Sequence, residues 1–254
     1  MVIENHVVLW AIIGMASGSV LGLAGTGGGV IAIPILMAFG GYDIKEASGY
    51  GLLALSVGAA ISWFIQRKNT NYPLAITLIV FAGSVAFIAA PLKTISPHWL
   101  VSMLLNLTCL FSLYSLWVLR KPDDPGEKRP LPYQLKTAGV GGIMTGFLST
   151  MTGLGGGVVI IPWLTGITRL KFEQAMACSL LTIAVTAPIS AWRQDTFHLG
   201  WGDWVALAST IAIASLMVKK AVTYMPTPQL LIVRKLALTS VICIAMMRTL
   251  FELV

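Results

Sequence analysis

"GLAGTGGGVIAIP" (Gly22–Pro34) sets a cluster of glycines and then a proline inside chain that is otherwise apolar, and "TMTGLGGGVVIIP" (Thr150–Pro162) does the same again. Both residue types fit poorly in the middle of a helix. Glycine loses much backbone freedom on ordering, and proline removes a hydrogen bond and crowds the preceding turn. An offset of 128 residues lays the two stretches on each other without a gap. Gly25 meets Gly153; Gly27, Gly28 and Gly29 meet Gly155, Gly156 and Gly157; Pro34 meets Pro162. The register continues outward. Gly14 meets Gly142, Gly18 meets Gly146, Ala47 meets Ala175, Leu52 meets Leu180, Ser62 meets Ser190 and Gln66 meets Gln194. Composition alone gives two apolar segments some identities, but not a glycine cluster, a proline and a glutamine in one register. The chain is read as a duplication.

Composition fixes the solvent. The 254 residues are 56% hydrophobic and 11% charged, with a mean hydropathy of +0.83. A soluble domain carries about 25% charged residues, so this chain cannot cover a surface with polar groups. Its apolar segments approach the roughly 20 residues that a helix needs to cross a bilayer. They lack the alternation of a barrel strand. The expected fold class is an all-α polytopic membrane protein in contact with the lipid bilayer. The N-terminus lacks the basic start and cleavage site of a signal peptide and reads as the entry to the first helix. The net charge of +7 is read as basic loops on the cytoplasmic side, with no nucleic-acid partner. Cys109, Cys178 and Cys243 stand singly in apolar runs and are read as packing residues.

Each copy reads as five segments. The first has segment a at about 7–23, a short b at 29–40, and c, d and e at 46–65, 72–91 and 97–119. The second repeats them at about 136–150, 157–167, 173–192, 203–219 and 228–250. The expected division is a first transmembrane repeat at 1–119, a linker at 120–135 and a second repeat at 136–254. The linker's "RKPDDPGEKRPLP" (Arg120–Pro132) is rich in proline and charge and reads as solvated loop.

Charge sets the orientation. Arg67, Lys68, Arg120, Lys121, Lys128, Arg129, Lys136, Arg169, Lys171, Lys219 and Lys220 fall in one set of loops, and only Lys45, Lys93, Arg193 and Arg248 in the other. With the larger set cytoplasmic, the chain alternates consistently only if a and b form a hairpin that returns to its own side. Three crossings then follow, so the second copy enters inverted. The expectation is two inverted-topology repeats, each a Gly-rich broken helix hairpin plus three transmembrane helices, with the linker cytoplasmic and both termini outside. Segment a is long enough to cross alone, so a full span remains an alternative for it.

Irregular backbone at membrane depth survives only where protein or a water-filled cavity surrounds it. Two readings compete for the glycines. Small residues let membrane helices approach, and Gly14 and Gly18, spaced GxxxG, are read that way. A break also frees N–H groups at the start of the next half-helix, which favours an anion. Gly25, Gly27, Gly28, Gly29, Gly153, Gly155, Gly156 and Gly157 are read as a paired anion-binding loop. "GTGGGV" (Gly25–Val30) lacks the Lys-Ser/Thr ending of a phosphate loop and the preceding strand of a dinucleotide site, so no nucleotide cofactor is expected.

These residues carry a resemblance. "GLAGTGGGVIAIPIL" and "TGLGGGVVIIPWL", with "EASGYGLLALSVGAAISW", "EQAMACSLLTIAVTAPISAW" and "LGWGDWVALA", resemble the sulfite exporter TauE/SafE family, or TSUP permeases. The likeness spans nearly all the chain outside the termini and linker. It implies transport of a small sulfur oxyanion, such as sulfite, or of an organosulfonate, across a bacterial inner membrane. One departure is the loop "QRKNTNYPLA" (Gln66–Ala75), which lacks the Gly-Asp-Trp at Gly202–Trp204.

Other polar residues complete the candidate site. Thr26, Thr150 and Thr152 either offer hydroxyls to anion oxygens or cap and back-bond their own helices. Ser62 and Gln66, with Ser190 and Gln194, stand at matching places on c. Arg67 and Arg193 lie at the two c ends, where a guanidinium suits an oxyanion or serves topology. Asn106, Arg234 and Lys235 are read as packing or snorkelling residues. All ten acidic residues lie in loops or at segment ends, so no deep carboxylate relay is expected. His6, His98 and His198 share no metal-ligand spacing. No metal site, no cofactor and no nucleophile–base pair is expected, hence no enzyme. The reading is a permease working by alternating access; an anion channel of the same fold and a non-transporting membrane subunit are the alternatives. A homodimer is compatible with it.

Overall fold

A computed structural model of the protein describes residues 6–24, 28–114, 129–194 and 200–224, with Leu236, Thr239, Cys243 and Met246 from the last segment. Gly25, Thr26, Gly27, His198, Arg234, Lys235, Arg248, linker residues 120–128 and most of the expected final helix lie outside the described residues.

The described chain is helical throughout. The helices are α1 (His6–Ala24), α2 (Gly29–Phe39), α3 (Ile44–Gln66), α4 (Tyr72–Ile95), α5 (His98–Tyr114), α6 (Leu131–Thr152), α7 (Gly157–Gly166), α8 (Phe172–Arg193) and α9 (Trp201–Tyr224). Offset by 128, the start of α2 at 29 falls on the start of α7 at 157, and that of α3 at 44 on that of α8 at 172.

Local chemistry sets the ends. Asp43 and Glu46 form a capping box at α3: the Asp43 carboxylate accepts from the Glu46 N–H at 2.8 Å and the Glu46 carboxylate from the Asp43 N–H at 3.4 Å. Pro73 lies in the first turn of α4, where a missing N–H costs no helical bond. α6 begins at Leu131, inside the stretch expected to be linker, because Pro132 suits a first turn in the same way. α4 runs on to Ile95 where an end near 91 was expected; Pro91 does not stop it.

Four segments have the length and apolarity to cross a membrane: Ile44–Asn69, Tyr72–Ile95, Phe172–Arg193 and Trp201–Val218. Twenty-four residues of α4 reach about 36 Å at 1.5 Å per residue, against a hydrocarbon core of about 30 Å. The outer face of α4 is apolar, with Ile88 72% and Ile95 78% exposed. Small residues line its inner face, including Ala82, Ala86 and Ala89. This polarity suits lipid rather than water.

Packing fixes helix directions. α1 runs parallel to α9: Gly14 lies against Leu207 and Thr210, Gly18 against Ile211 and Ala214, and Gly22 against Val218. Gly14 and Gly18 therefore act as close-approach residues. α1 also runs parallel to α3, with Trp10 5.6 Å from Tyr50 by ring centroids and Leu21 against Gly58. α2 doubles back, bringing Gly29 to Leu55 and Ile33 to Gly51. α7 doubles back likewise, with Gly156 near Thr145 and Trp163 near Gly141.

α3 and α8 run antiparallel. At one end Asn69, just past α3, donates to Glu173 in the first turn of α8 at 3.5 Å. At the other, Lys45 in the first turn of α3 donates to the Thr94 carbonyl at 3.0 Å, and the adjacent Lys93 reaches Gln194 at the end of α8. Leu52, Leu53, Leu55 and Ala59 of α3 share a buried cluster with Leu180, Ile183 and Ala187 of α8.

Candidate functional site

The two glycine segments meet against α3. Gly153 ends α6 in the left-handed conformation, at φ 73°, and its N–H donates to the Ser149 carbonyl at 2.8 Å. Gly155 is also left-handed, at φ 76°. A side chain is strained at both. Space is closed too: a methyl on Gly153 would strike the Ser48 carbonyl, and one on Gly155 would lie 2.8 Å from a Leu55 methyl. On the other loop, a methyl on Gly29 would lie 2.5 Å from the Gly153 carbonyl oxygen. The backbone starting α2 thus rests on the backbone leaving α6.

Each half-helix is tied at its start. Ser17 donates to the Gly28 carbonyl at 3.2 Å, and the matching residue Thr145 lies beside Gly156. The first backbone bonds of α7 run from Val159 and Ile160 to the Gly156 carbonyl, so the Gly157 and Val158 N–H groups belong to the unpaired first turn. Gly28, Gly29 and all of Met151–Ile160 are buried, so the junction is closed over in this conformation.

The polar residues divide into two groups. Near the C-terminal end of α8, the Thr150 and Ser190 hydroxyls lie 2.8 Å apart, both buried. The Gln194 amide nitrogen points at the Thr150 carbonyl at 3.5 Å, and its oxygen accepts from Lys93 Nζ at 2.6 Å. Lys93 is 1% exposed. Sequence reasoning counted Lys93 as a loop charge; the structure corrects this, because α4 continues past it and carries it inward. The signal in the sequence was slight: Leu92 and Ile95 are apolar on either side of Lys93 and Thr94, past Pro91. Because α4 and α6 both end against Gln194, these two helices also run in the same direction.

Ser62 and Gln66 stand near the opposite end, on α3. Ser62 is 2% exposed, and its hydroxyl has no hydrogen-bond partner. Ser62 is seven residues from Leu55, or about 10 Å along the helix, and Ser190 lies toward the other end. The matched pairs flank the glycine junction rather than converging on it.

Thr152 back-bonds to the Leu148 carbonyl at 2.7 Å and accepts from the Leu154 N–H at 3.4 Å, a helix-ending role. Thr150, by contrast, bonds across helices. Arg67 and Arg193 are exposed, each 4.5 Å over a phenylalanine ring, Phe64 and Phe87. They sit at opposite ends of the bundle and outside the junction. Asn106 donates to the Ser102 carbonyl of its own helix at 2.9 Å. Among the described residues no group of three or more His, Cys, Asp or Glu side chains is placed to hold a metal ion.

The chain is similar to several proteins named as probable membrane transporters. The chain is 28% identical to a probable membrane transporter protein of Methanocaldococcus jannaschii over 70% of its own length and 68% of the relative's. It is 22% identical to a probable membrane transporter protein of Bacillus subtilis, over 76% and 80%. A probable membrane transporter protein of Xylella fastidiosa is 28% identical over 74% and 72%. No solved structure matches it. The profile of the sulfite exporter TauE/SafE family matches residues 10–247, nearly the whole helical chain with both glycine segments, and the chain belongs to that family.

Proposed function

We propose that this protein exports a small sulfur-containing anion, sulfite or an organosulfonate, by alternating access around its paired glycine loops. The observation that carries the reading is the junction itself, where Gly29 rests on the Gly153 carbonyl and two half-helices begin. Half-helix N-termini favour anions through their unpaired N–H groups. Their convergence inside a membrane bundle is the pattern of a carrier's central site.

The same reading makes the two halves, 1–119 and 136–254, inverted copies joined by a cytoplasmic linker at 120–135. It is supported by the antiparallel course of α3 and α8 and by the parallel pairs α1–α9 and α4–α6, which exchange when the copies exchange. Closure of the loops by buried side chains suits a carrier that opens to one side at a time.

Purified protein in liposomes should take up sulfite, thiosulfate or sulfoacetate with saturation, and exclude a carboxylate control of equal size. Failure of every sulfur anion would remove the substrate class. Flux that stays linear far above millimolar concentration would replace the carrier with a channel.

A further inference from the structure

We infer that Lys93, held by Gln194 beside Thr150 and Ser190, is the cationic seat for the transported anion, on one side of the glycine junction only. The inference rests on the anion-carrier reading above and supplies the group that reading lacks.

A lysine buried in the last turn of a membrane helix, rather than snorkelling to the surface, is costly and occurs where it meets a partner or a pathway. An ammonium has three N–H donors. Lys93 is 1% exposed, and the structure gives it one acceptor, the neutral Gln194 oxygen. Among the described residues no carboxylate is in ion-pair contact with it. The Asp43 carboxylate and the Lys45 ammonium, both at the start of α3, act on Lys93 with opposite sign and from beyond contact distance, so a buried ammonium with one neutral hydrogen-bond partner is incompletely compensated. An oxyanion of two or three oxygens fits this deficit, with Thr150 and Ser190 as a hydroxyl pair at its edge.

The position matters as well. Thr150 is three residues before the left-handed Gly153. Thr150 therefore lies within one turn of the loop, and the Gln194 side chain links it to Lys93.

Set against the duplication, this equipment stands on one side only. Ser62 and Gln66 match Ser190 and Gln194, but Gly22 stands where the other copy has Thr150 and Ala221 where it has Lys93. The serine hydroxyl at the plain end is buried and unpartnered. The anion is therefore held at the α4–α8 end and passes the α3 end without a cationic seat.

The deciding variant is Gln194→Glu, read with sulfite as probe on the full-length protein. It puts a carboxylate on the lysine, as an internal competitor for the anion. The expected result is sulfite affinity weaker by about tenfold to a hundredfold, the worth of a charge-assisted contact, with Tm in detergent equal to or above wild type. Lys93→Met should lose affinity likewise and Lys93→Arg should retain most of it. Unchanged affinity and flux in a well-folded Gln194→Glu protein would make the group a structural clamp and overturn the seat, leaving the transport reading intact. Asp195 follows Gln194 and lies outside the described residues. A Tm loss in Asp195→Asn that Lys93→Met abolishes, with sulfite affinity unchanged, would reveal an internal ion pair and also overturn the seat. Absence of sulfite binding and flux in the wild type would bring down both.

Discussion

Gly153 holds a conformation that side chains resist and a space that they would fill. Its φ is 73°, and the Ser48 carbonyl lies where a methyl would go. Left-handed backbone costs a non-glycine residue about 1–2 kcal/mol, and the collision with backbone adds to it because carbonyls do not swing away as side chains do. Gly153→Ala should therefore lower Tm and abolish flux together. Gly51 is a milder control: a methyl there would lie 3.2 Å from an Ile33 side-chain carbon, and its φ is ordinary. Retention of wild-type Tm by Gly153→Ala would show that the loop is looser than its geometry implies. The glycine cluster was legible in the sequence as a pair. Which glycines are left-handed was not, because the demand comes from the turn between α6 and α7 and from α3 across it.

Close helix packing is decided by a few glycines on each element. On α6, a methyl at Gly146 would lie 2.5 Å from the Ala82 carbonyl of α4. In a bilayer, helix association depends on such approach, since lipid tails compete with every apolar contact. Gly146→Leu should split α4 from α6 and reduce monodisperse yield severely. Gly166, at the end of α7, has nothing within 4 Å of an added methyl, and Gly166→Ala should match or exceed wild-type Tm, by up to about 1 kcal/mol from helix propensity. Equal tolerance at the two positions would count against the packing role. The helix boundaries were mostly legible, because apolar runs, prolines and the capping box are local signals. Three ends fall outside the expected bounds, Ile95, Leu131 and Tyr224. The first two share a cause: a proline near a helix end was read as a stop or as loop, whereas Pro132 starts its helix and Pro91 is carried within one. The third was missed because Lys219 and Lys220 were read as loop, whereas α9 carries both.

At the scale of the whole molecule, the proposed alternating access would require the antiparallel contact of α3 and α8 to open and close. Asn69 and Glu173 mark one end of it. Replacing both with cysteine, on a background without Cys109, Cys178 and Cys243, should allow a cross-link by a short bis-methanethiosulfonate reagent. Flux should stop on cross-linking and return on reduction. Full flux in the cross-linked protein would mean that this end does not open. A cysteine at Asn69 should label from the cytoplasmic side and one at His98 from outside; the reverse would sink the orientation argued from basic residues, and labelling of both from one side would sink α4 as a crossing.

The sequence by itself determined the solvent, the duplication, the helix set and the two glycine breaks. Each is written in composition or in spacing along one dimension. Only the tertiary structure decided that Gly29 rests on Gly153, that α3 opposes α8, and that Lys93 lies inside. These depend on which helix faces land together. Gln194 lies 101 residues from Lys93 in the chain, and no local pattern connects a lysine to an acceptor that far away. Packing brought them together and set an ordinary basic residue inside the bundle.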